Sequence, residues 1–286
     1  MENIKWPLRK LDKLQQRHKP IAFVAAVFKK YNDDDGGYLA ALITYYVFLS
    51  LFPLLLVATS AVHFFLKDQP ALQSRIIEGI NDYFPALSDE LQSSILGFQK
   101  NGLALVLGVL ITLYGVRGGA ATVRYTFNKI WKVPKESQLG FPVSTIHSLL
   151  LILIGGGGLI LAAVLSSYAA GLTDAFIYRL IPLTISFLTL VGVFYLVFSL
   201  SINSREPSRK DLFVSAITAA IGVQTLQLVG VYLVTHQLQN LNSLYGTFAV
   251  VLGLLFWIYL QAQVLLLSAF AGAVYARRLW PRSLIS

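Results

Sequence analysis

Long apolar stretches alternate with short polar segments along most of the chain. Six of these stretches reach the roughly 20 predominantly apolar residues that a membrane-spanning helix needs, and each is interpreted as a span. The predicted spans are Leu39–Leu66, Leu103–Val123, Val143–Leu172, Leu180–Ile202, Leu212–Thr235 and Gly246–Ala276. The pattern therefore predicts an all-α fold, a polytopic membrane bundle of about six transmembrane helices.

Two further regions have amphipathic patterns. Residues 1–38 are basic, and their apolar run Ile21–Phe28 is too short to span, so we expect a short amphipathic helix on the inner leaflet. The segment 67–102 has apolar residues at helical spacing on both sides of Pro85, which predicts two short helices on the outer face. The predicted domains are a basic segment 1–38, a membrane domain 39–276 and a basic tail 277–286.

The basic residues lie mostly in alternate connections between the predicted spans. Of the 23 Lys and Arg residues, 19 fall in the two terminal segments, the stretch Arg117–Lys135 at the end of the second span and the connection after the fourth span. Because the side of a membrane protein that is rich in Lys and Arg faces the cytoplasm, both ends are predicted to be cytoplasmic. The net charge of +9 is then explained by topology, and no nucleic acid partner is expected.

Composition supports a membrane protein. Hydrophobic residues make up 56% of the chain and charged residues 13%, which is about half the share in soluble domains. The absence of cysteine excludes disulfides, thiolate metal sites and cysteine nucleophiles. The expected partners are the lipid bilayer and anionic lipids at the cytoplasmic face. No cofactor is implied, and protein partners and a homo-oligomeric state stay open.

Three segments carry a family resemblance. The first is Leu39–Leu56, which contains a Tyr-Tyr pair followed by Leu-Ser-Leu-Phe-Pro; the second is Phe127–Trp131, with the sequence Phe-Asn-Lys-Ile-Trp. The third comprises Tyr245-Gly246, Trp257-Ile-Tyr259 and Gln263–Ala269. Together, and in this order, they resemble the YihY/BrkB family of bacterial inner-membrane proteins, formerly labelled ribonuclease BN.

This resemblance implies six spans in a bacterial inner membrane and a transport or envelope role, with the nuclease label a misassignment. The chain departs from the family in one short segment of the last span. Members often have Gly-Ala-Glu where this chain has Ser268-Ala269-Phe270. A mechanism that requires this intramembrane acid is therefore in doubt here.

Arg117 and Arg124 are the first candidates for a substrate path. They lie two turns apart and thus on one face of a helix, where they could bind an anionic headgroup or substrate. The alternative is that Arg117 extends to the lipid headgroups at the cytoplasmic end of the second span.

Uncharged polar residues within the spans are the other candidates, since such groups should point into a bundle. They either line a substrate path or join helices by hydrogen bonds, and both interpretations stay open. These residues are Tyr45, Tyr46, Ser50, Gln224, Gln227, Gln261 and Gln263.

Two features could bend or break a helix. Pro53 predicts a kink in the first span. Four consecutive glycines, Gly155, Gly156, Gly157 and Gly158, indicate either close helix packing or a hinge in the third span.

Asp33, Asp34 and Asp35 are expected to cap the first span, with Gly36 and Gly37 forming the turn.

Catalytic and metal sites are not expected. The four histidines are scattered, and no acid cluster or histidine pair provides the metal ligands or acid–base groups that a nuclease needs. The preferred function is a transporter or permease for a solute or lipid. The alternatives are a non-transporting, virulence-associated envelope protein that acts through partners and, last, a membrane-bound nuclease.

Overall fold

The structure, a computed structural model, describes residues 19–50, 117–140, 142–170, 176–203, 207–233 and 247–280. Pro53, the segment 67–102 and the tail beyond residue 280 lie outside the described residues. Within the described ranges every regular element is helical. The α-helices are α1 (Lys19–Asp33), α2 (Gly36–Ser50), α3 (117–130), α4 (Val143–Ala170), α5 (Phe176–Ser201), α6 (Arg209–Leu233) and α7 (Thr247–Ala276).

Two predicted boundaries differ from the observed ones. Helix α3 continues to residue 130, whereas the second span was expected to end at Val123, so Arg117 and Arg124 both lie within the helix. Gly36 and Gly37 do not form the turn before α2 but are its first two residues. The turn between α1 and α2 lies at Asp34 and Asp35 instead. Asp35 itself adopts the left-handed conformation, with φ 57°, that glycine was expected to supply.

A reciprocal side-chain cap begins α6. Asp211 Oδ2 accepts hydrogen bonds from Ser208 N and Ser208 Oγ, both at 2.8 Å, and Ser208 Oγ accepts one from Asp211 N at 3.4 Å. This arrangement resembles a capping box, which satisfies amide groups that have no partner inside the helix. It fixes where α6 begins and holds Asp211 in a buried position.

Helices α6 and α7 are antiparallel and close together along their length. Side chains on one helix cover glycines on the other: Ser215 lies against Gly272, Val264 against Gly222, and Trp257 against Gly230. A Cβ on any of these glycines would overlap the facing side chain. The contacts recur every seven or eight residues, in the opposite order on the two helices, so small residues set the distance between them.

Helix α7 lies between α6 and α1 in the described bundle. Residues 268–274 are all buried, because α6 packs on one side of this stretch and α1 on another. The α1–α7 contact includes edge-to-face pairs between Phe23 and Trp280 and between Tyr31 and Phe270, with ring centroids 5.4 and 5.6 Å apart. Such pairs stabilise beyond the area they bury.

Several helix ends meet at one end of the bundle. This end, called the basic end below, comprises α1, the later turns of α3, the start of α4, the end of α5, the start of α6 and the end of α7. Contacts that define it join Arg124 to Ser144, Asn128 to Ser201, and Arg277 to Trp131. The segments at this end are those in which the sequence concentrates lysine and arginine.

Large apolar side chains are exposed on the outer surface of the helices. Examples are Leu153 on α4, Leu188 on α5 and Phe256 on α7, which are 69%, 62% and 56% exposed. Within the described part of the chain, two helical stretches are long and apolar enough to cross a membrane, Thr184–Ser201 and Val251–Ala276. Such an exposed apolar surface suits contact with lipid.

Candidate functional site

Arg124 lies inside the basic end, where α3 meets α4 and α5. The residue is only 6% exposed. Its Nη1 donates to the carbonyl of Ser144 at 2.5 Å and contacts Ser148 Oγ at 3.5 Å. When the Asn203 amide is oriented to satisfy its neighbours, its oxygen accepts from Arg124 Nη2 at 3.2 Å.

Asn128 lies one turn later on α3 and extends this polar group. Its Nδ2 donates to the carbonyl of Ser201 at 3.3 Å, and its Oδ1 accepts from Asn203 N at 2.9 Å. Arg124, Asn128, Ser144, Ser148 and Asn203 are together called the Arg124 cluster. The cluster joins three helices by hydrogen bonds. All the groups that hydrogen-bond to its side chains are neutral, apart from the Arg124 guanidinium itself.

The Arg124 cluster contains a positive charge whose described partners are all neutral. The Nε group of Arg124 is buried and has no hydrogen-bond partner among the described residues. Burying a guanidinium without an anion is costly, so such a group is a candidate for binding one. The arrangement can hold an anionic group by charge and hydrogen bonding, with no chemical step.

Arg117 does not belong to this cluster. It lies two turns before Arg124 on the same helix but is exposed. Helical spacing correctly placed the two arginines on one helix, but it did not show which of them the neighbouring helices cover. Its burial makes Arg124 the stronger candidate of the two.

Two of the three candidates on α2, Tyr46 and Ser50, contact α3. Tyr46 packs against Gly118, where an added Cβ would lie 3.2 Å from the ring, while Tyr45 is 59% exposed. Ser50 is buried, and its Oγ donates to the carbonyls of Tyr46 and Val47 in its own helix, at 2.8 and 3.0 Å. These contacts support a packing role for Tyr46 and Ser50.

The four glutamine candidates lie on α6 and α7, and all are half-buried. The register of this antiparallel pair places Gln224 and Gln263 at the same level, with Gln227 and Gln261 within about one turn of them. None of the four belongs to the Arg124 cluster. A single substrate path through these residues and Arg124 stays a prediction.

The four glycines lie within α4, which is helical through all of them. A Cβ on Gly158 would overlap Val193 of α5, and one on Gly155 would lie 3.8 Å from Val197. A Cβ on Gly156 or Gly157 would meet nothing within 4 Å. Close packing therefore accounts for Gly158, and a hinge at this run stays a prediction.

Lys30 is a buried charge that the sequence interpretation missed. It is 3% exposed, pairs with Asp34, and lies 5.7 Å from the ring centre of Phe270. Burial lowers the pKa of Lys30; Asp34 partly opposes this, and the nearby charges of Lys132 and Arg277 add to it. The four-residue spacing of Ala22, Ala26 and Lys30 could have revealed it, since these residues share the buried face of α1.

A basic pocket of about 470 Å³ opens where α5, α6 and α7 meet. It is lined by Tyr195, Arg209, Lys210, Phe213, Val214 and Tyr275. Two cations beside aromatic rings suit a phosphate-bearing headgroup at a membrane surface. Among the described residues, no three His, Asp or Glu side chains converge as they would around a metal ion.

Comparison with known proteins shows the family of the chain and several membrane-protein relatives. Residues 27–283 match the family described as Virulence factor BrkB. The inner membrane protein YhjD of Escherichia coli K12 is 25% identical over 277 residues, which cover 89% of this chain and 81% of that protein. No solved structure matches the chain.

Two further relatives span most of the chain. A Bacillus subtilis protein named as ribonuclease-like, YfkH, is 23% identical over 274 residues, or 90% of this chain and 96% of that protein. A UPF0761 membrane protein of Nitrosospira multiformis is 24% identical over 287 residues, or 96% of this chain and 65% of that protein.

Proposed function

The chain belongs to the Virulence factor BrkB family, and we propose that this integral membrane protein is a permease that moves an anionic solute or lipid. The observation that carries the proposal is the burial of Arg124 among neutral partners. A guanidinium that is buried without an anionic partner is costly, and Arg124 is buried in this way at the basic end. Substrate binding would supply the missing negative charge.

The proposal includes a topology. Six helices cross the bacterial inner membrane, and both ends of the chain lie in the cytoplasm. Support comes from the described helix ends that gather at the basic end, and from a relative named as an inner membrane protein. The basic pocket then faces the inner leaflet, where Arg209 and Lys210 would bind the phosphate of an anionic lipid.

Two other functions receive less support. An envelope protein that acts through partners was inferred mainly from the segment 67–102, which lies outside the described residues. The name of the Bacillus subtilis relative refers to a ribonuclease-like protein. We propose that this chain is not an enzyme, and an RNA cleavage assay on the purified protein checks this.

Reconstitution in liposomes tests the permease. One assay follows translocation of fluorescent NBD-phosphatidylglycerol by dithionite quenching, and a second follows release of entrapped radiolabelled phosphate. We expect at least one probe to move, and Arg124→Gln to slow it by about tenfold, which corresponds to about 1.4 kcal/mol of lost interaction.

Arg117→Gln is the matched control, because it removes the same charge from an exposed position on the same helix. It should leave the rate within about twofold. Arg124→Lys, checked for folding by size-exclusion chromatography, separates loss of charge from loss of structure. Equal slowing by Arg117→Gln and Arg124→Gln, or no movement of either probe, would contradict the proposal.

A further inference from the structure

Asn203 follows the end of α5 and contacts one edge of the Arg124 guanidinium. Its amide oxygen, in the orientation that satisfies its neighbours, accepts from Arg124 Nη2 at 3.2 Å and from Leu139 N at 3.1 Å. The other terminal nitrogen of Arg124, Nη1, points to α4, where it donates to the carbonyl of Ser144. A guanidinium N–H and a backbone N–H from another segment of the chain therefore meet at a single oxygen atom.

This pair of donors has the geometry of an oxyanion site. Guanidinium and backbone N–H groups are the donors that hold carboxylate and phosphate oxygens in proteins. Here a neutral oxygen of the protein itself, from the side chain of Asn203, takes the position of the anion. Because the position is that of an oxygen atom, a phosphate oxygen placed there would lie within hydrogen-bond distance of both donors.

The side chain of Asn203 can leave this position without moving the end of α5. Its backbone N is held separately by Asn128 Oδ1 at 2.9 Å. Arg124 and Asn128 are buried, whereas Asn203 and Leu139 are half-buried and therefore reach the surface of the Arg124 cluster. Rotation of the Asn203 side chain to another staggered rotamer would free both donors on the side that faces out of the cluster.

We propose that the amide oxygen of Asn203 occupies an anion-binding position, and that a phosphate group binds in its place between Arg124 Nη2 and Leu139 N. The phosphate is either free in solution or part of a phospholipid headgroup. This inference rests on the proposed function, and it deepens it by naming the bound group and the side chain that the group displaces.

Two opposing effects decide the competition for this position. An ionised phosphate oxygen attracts a guanidinium more strongly than a neutral amide oxygen does. The amide of Asn203 is tethered beside the site, however, and a tethered group competes at a high effective concentration. Asn203 therefore keeps the buried charge of Arg124 hydrogen-bonded when no ligand is bound, and it lowers the affinity for the ligand.

Phosphate binding to the full-length purified protein tests the inference. In the first arm, sodium phosphate is titrated in detergent and followed by calorimetry and thermal unfolding, with sodium chloride at equal ionic strength as the control. In the second arm, native mass spectrometry counts the phosphatidylglycerol retained from mixed phosphatidylglycerol and phosphatidylcholine vesicles. A response in the first arm alone identifies free phosphate, and retention in the second arm alone identifies a lipid headgroup.

Two substitutions of Asn203 should act in opposite directions. Asn203→Ala removes the competing oxygen and should tighten phosphate binding by about tenfold. Asn203→Asp places a carboxylate beside Arg124 and should weaken phosphate binding by about tenfold. It should also raise the thermal midpoint, because the buried guanidinium gains a counterion. The same two substitutions of Asn32, an exposed asparagine of α1, are the matched controls and should change neither quantity.

The opposite signs separate this role from a structural one. If Asn203 only held the helices together, both of its variants would lose stability and neither would bind phosphate more tightly. Asn203→Ala leaves two donors without a partner, so its thermal midpoint should fall without phosphate and recover when phosphate is added. Arg209 and Lys210 are intact in all of these variants, so a change in binding is not assigned to the basic pocket.

Two results would overturn the inference. One is Asn203→Ala that elutes as a folded protein from size-exclusion chromatography and binds phosphate no more tightly than the unchanged chain. The other is Asn203→Asp that binds phosphate and retains phosphatidylglycerol as well as the unchanged chain does.

Failure of the permease proposal gives a different pattern. Phosphate binding that responds to Asn203 as expected, in a protein that moves neither probe in liposomes, supports the site and contradicts transport. Translocation that Arg124→Gln slows but that both Asn203 variants leave unchanged supports transport and contradicts the site.

Discussion

Lys30 shows how a single buried charge couples stability to pH. Burial lowers its pKa in the folded protein below the ordinary value of 10.5. Between these two pKa values the unfolded chain binds more protons than the folded chain. Folding stability therefore rises as pH increases through this window.

We predict that the thermal midpoint of the purified protein rises as the pH increases from the lowered pKa of Lys30 towards 10.5, and that Lys30→Met reduces this rise. Methionine fills a similar volume beside Phe270 without a titrating group. Thermal unfolding in detergent at a series of pH values measures the effect, with the exposed Lys129→Met as the control. An unchanged slope in Lys30→Met would show that another group is responsible.

Residue patterns revealed only part of the candidate site. Arg124 was identified from helical spacing, but its partners Ser144 and Asn203 belong to other helices, and sequence spacing carries no information on such contacts. The pocket lined by Tyr31 and Tyr259 was missed for the same reason. Tyr31 and Tyr259 are far apart in the sequence and meet only because α1 packs against α7.

At the scale of elements, the glycines of α4 have two different environments. Gly158 faces α5, and an added Cβ would lie 2.9 Å from Val193 Cγ1 and closer still to Cγ2. Gly156 faces open space. The same substitution at the two positions therefore has opposite consequences.

We predict that Gly158→Ala destabilises the protein by about 1–3 kcal/mol through overpacking. Gly156→Ala should stabilise it by up to about 1 kcal/mol, because alanine favours the helix. Thermal midpoints measure both, and adding Val193→Ala should recover most of the loss in Gly158→Ala. If Gly156→Ala instead abolishes translocation while the protein becomes more stable, the run acts as a hinge.

Helix existence was well predicted where long apolar runs made the pattern clear. The four ends of α4 to α7 that lie within described residues fall within three residues of the predicted spans, and α7 ends at Ala276 as expected. The turn into α2 was placed wrongly, because Asp35 adopts a conformation that the sequence assigned to glycine. Local residue preference is a weak guide where neighbouring helices fix the backbone.

At the scale of the whole molecule, the gathering of basic segments makes the topology testable. The chain contains no cysteine, so single cysteines can be introduced without background. We predict that Lys135→Cys and Arg278→Cys are protected from a membrane-impermeant maleimide in intact spheroplasts. Both should be labelled in inverted membrane vesicles. Arg179→Cys, on the opposite predicted side, should show the reverse, and labelling of all three from the same side would contradict the six-span topology.

The glycine contacts between α6 and α7 have a mechanical consequence. Val264 and Trp257 fill the gaps above Gly222 and Gly230, which are eight residues apart on α6, and Ser215 fills the gap above Gly272 on α7. At 1.5 Å per residue, a slide that carries Val264 from Gly222 to Gly230 would need a shift of about 12 Å. Smaller shifts force side chains against backbone, so we expect the two helices to move as one rigid body. If the protein alternates between inward-open and outward-open states, the boundary that separates must run along a different pair of helices.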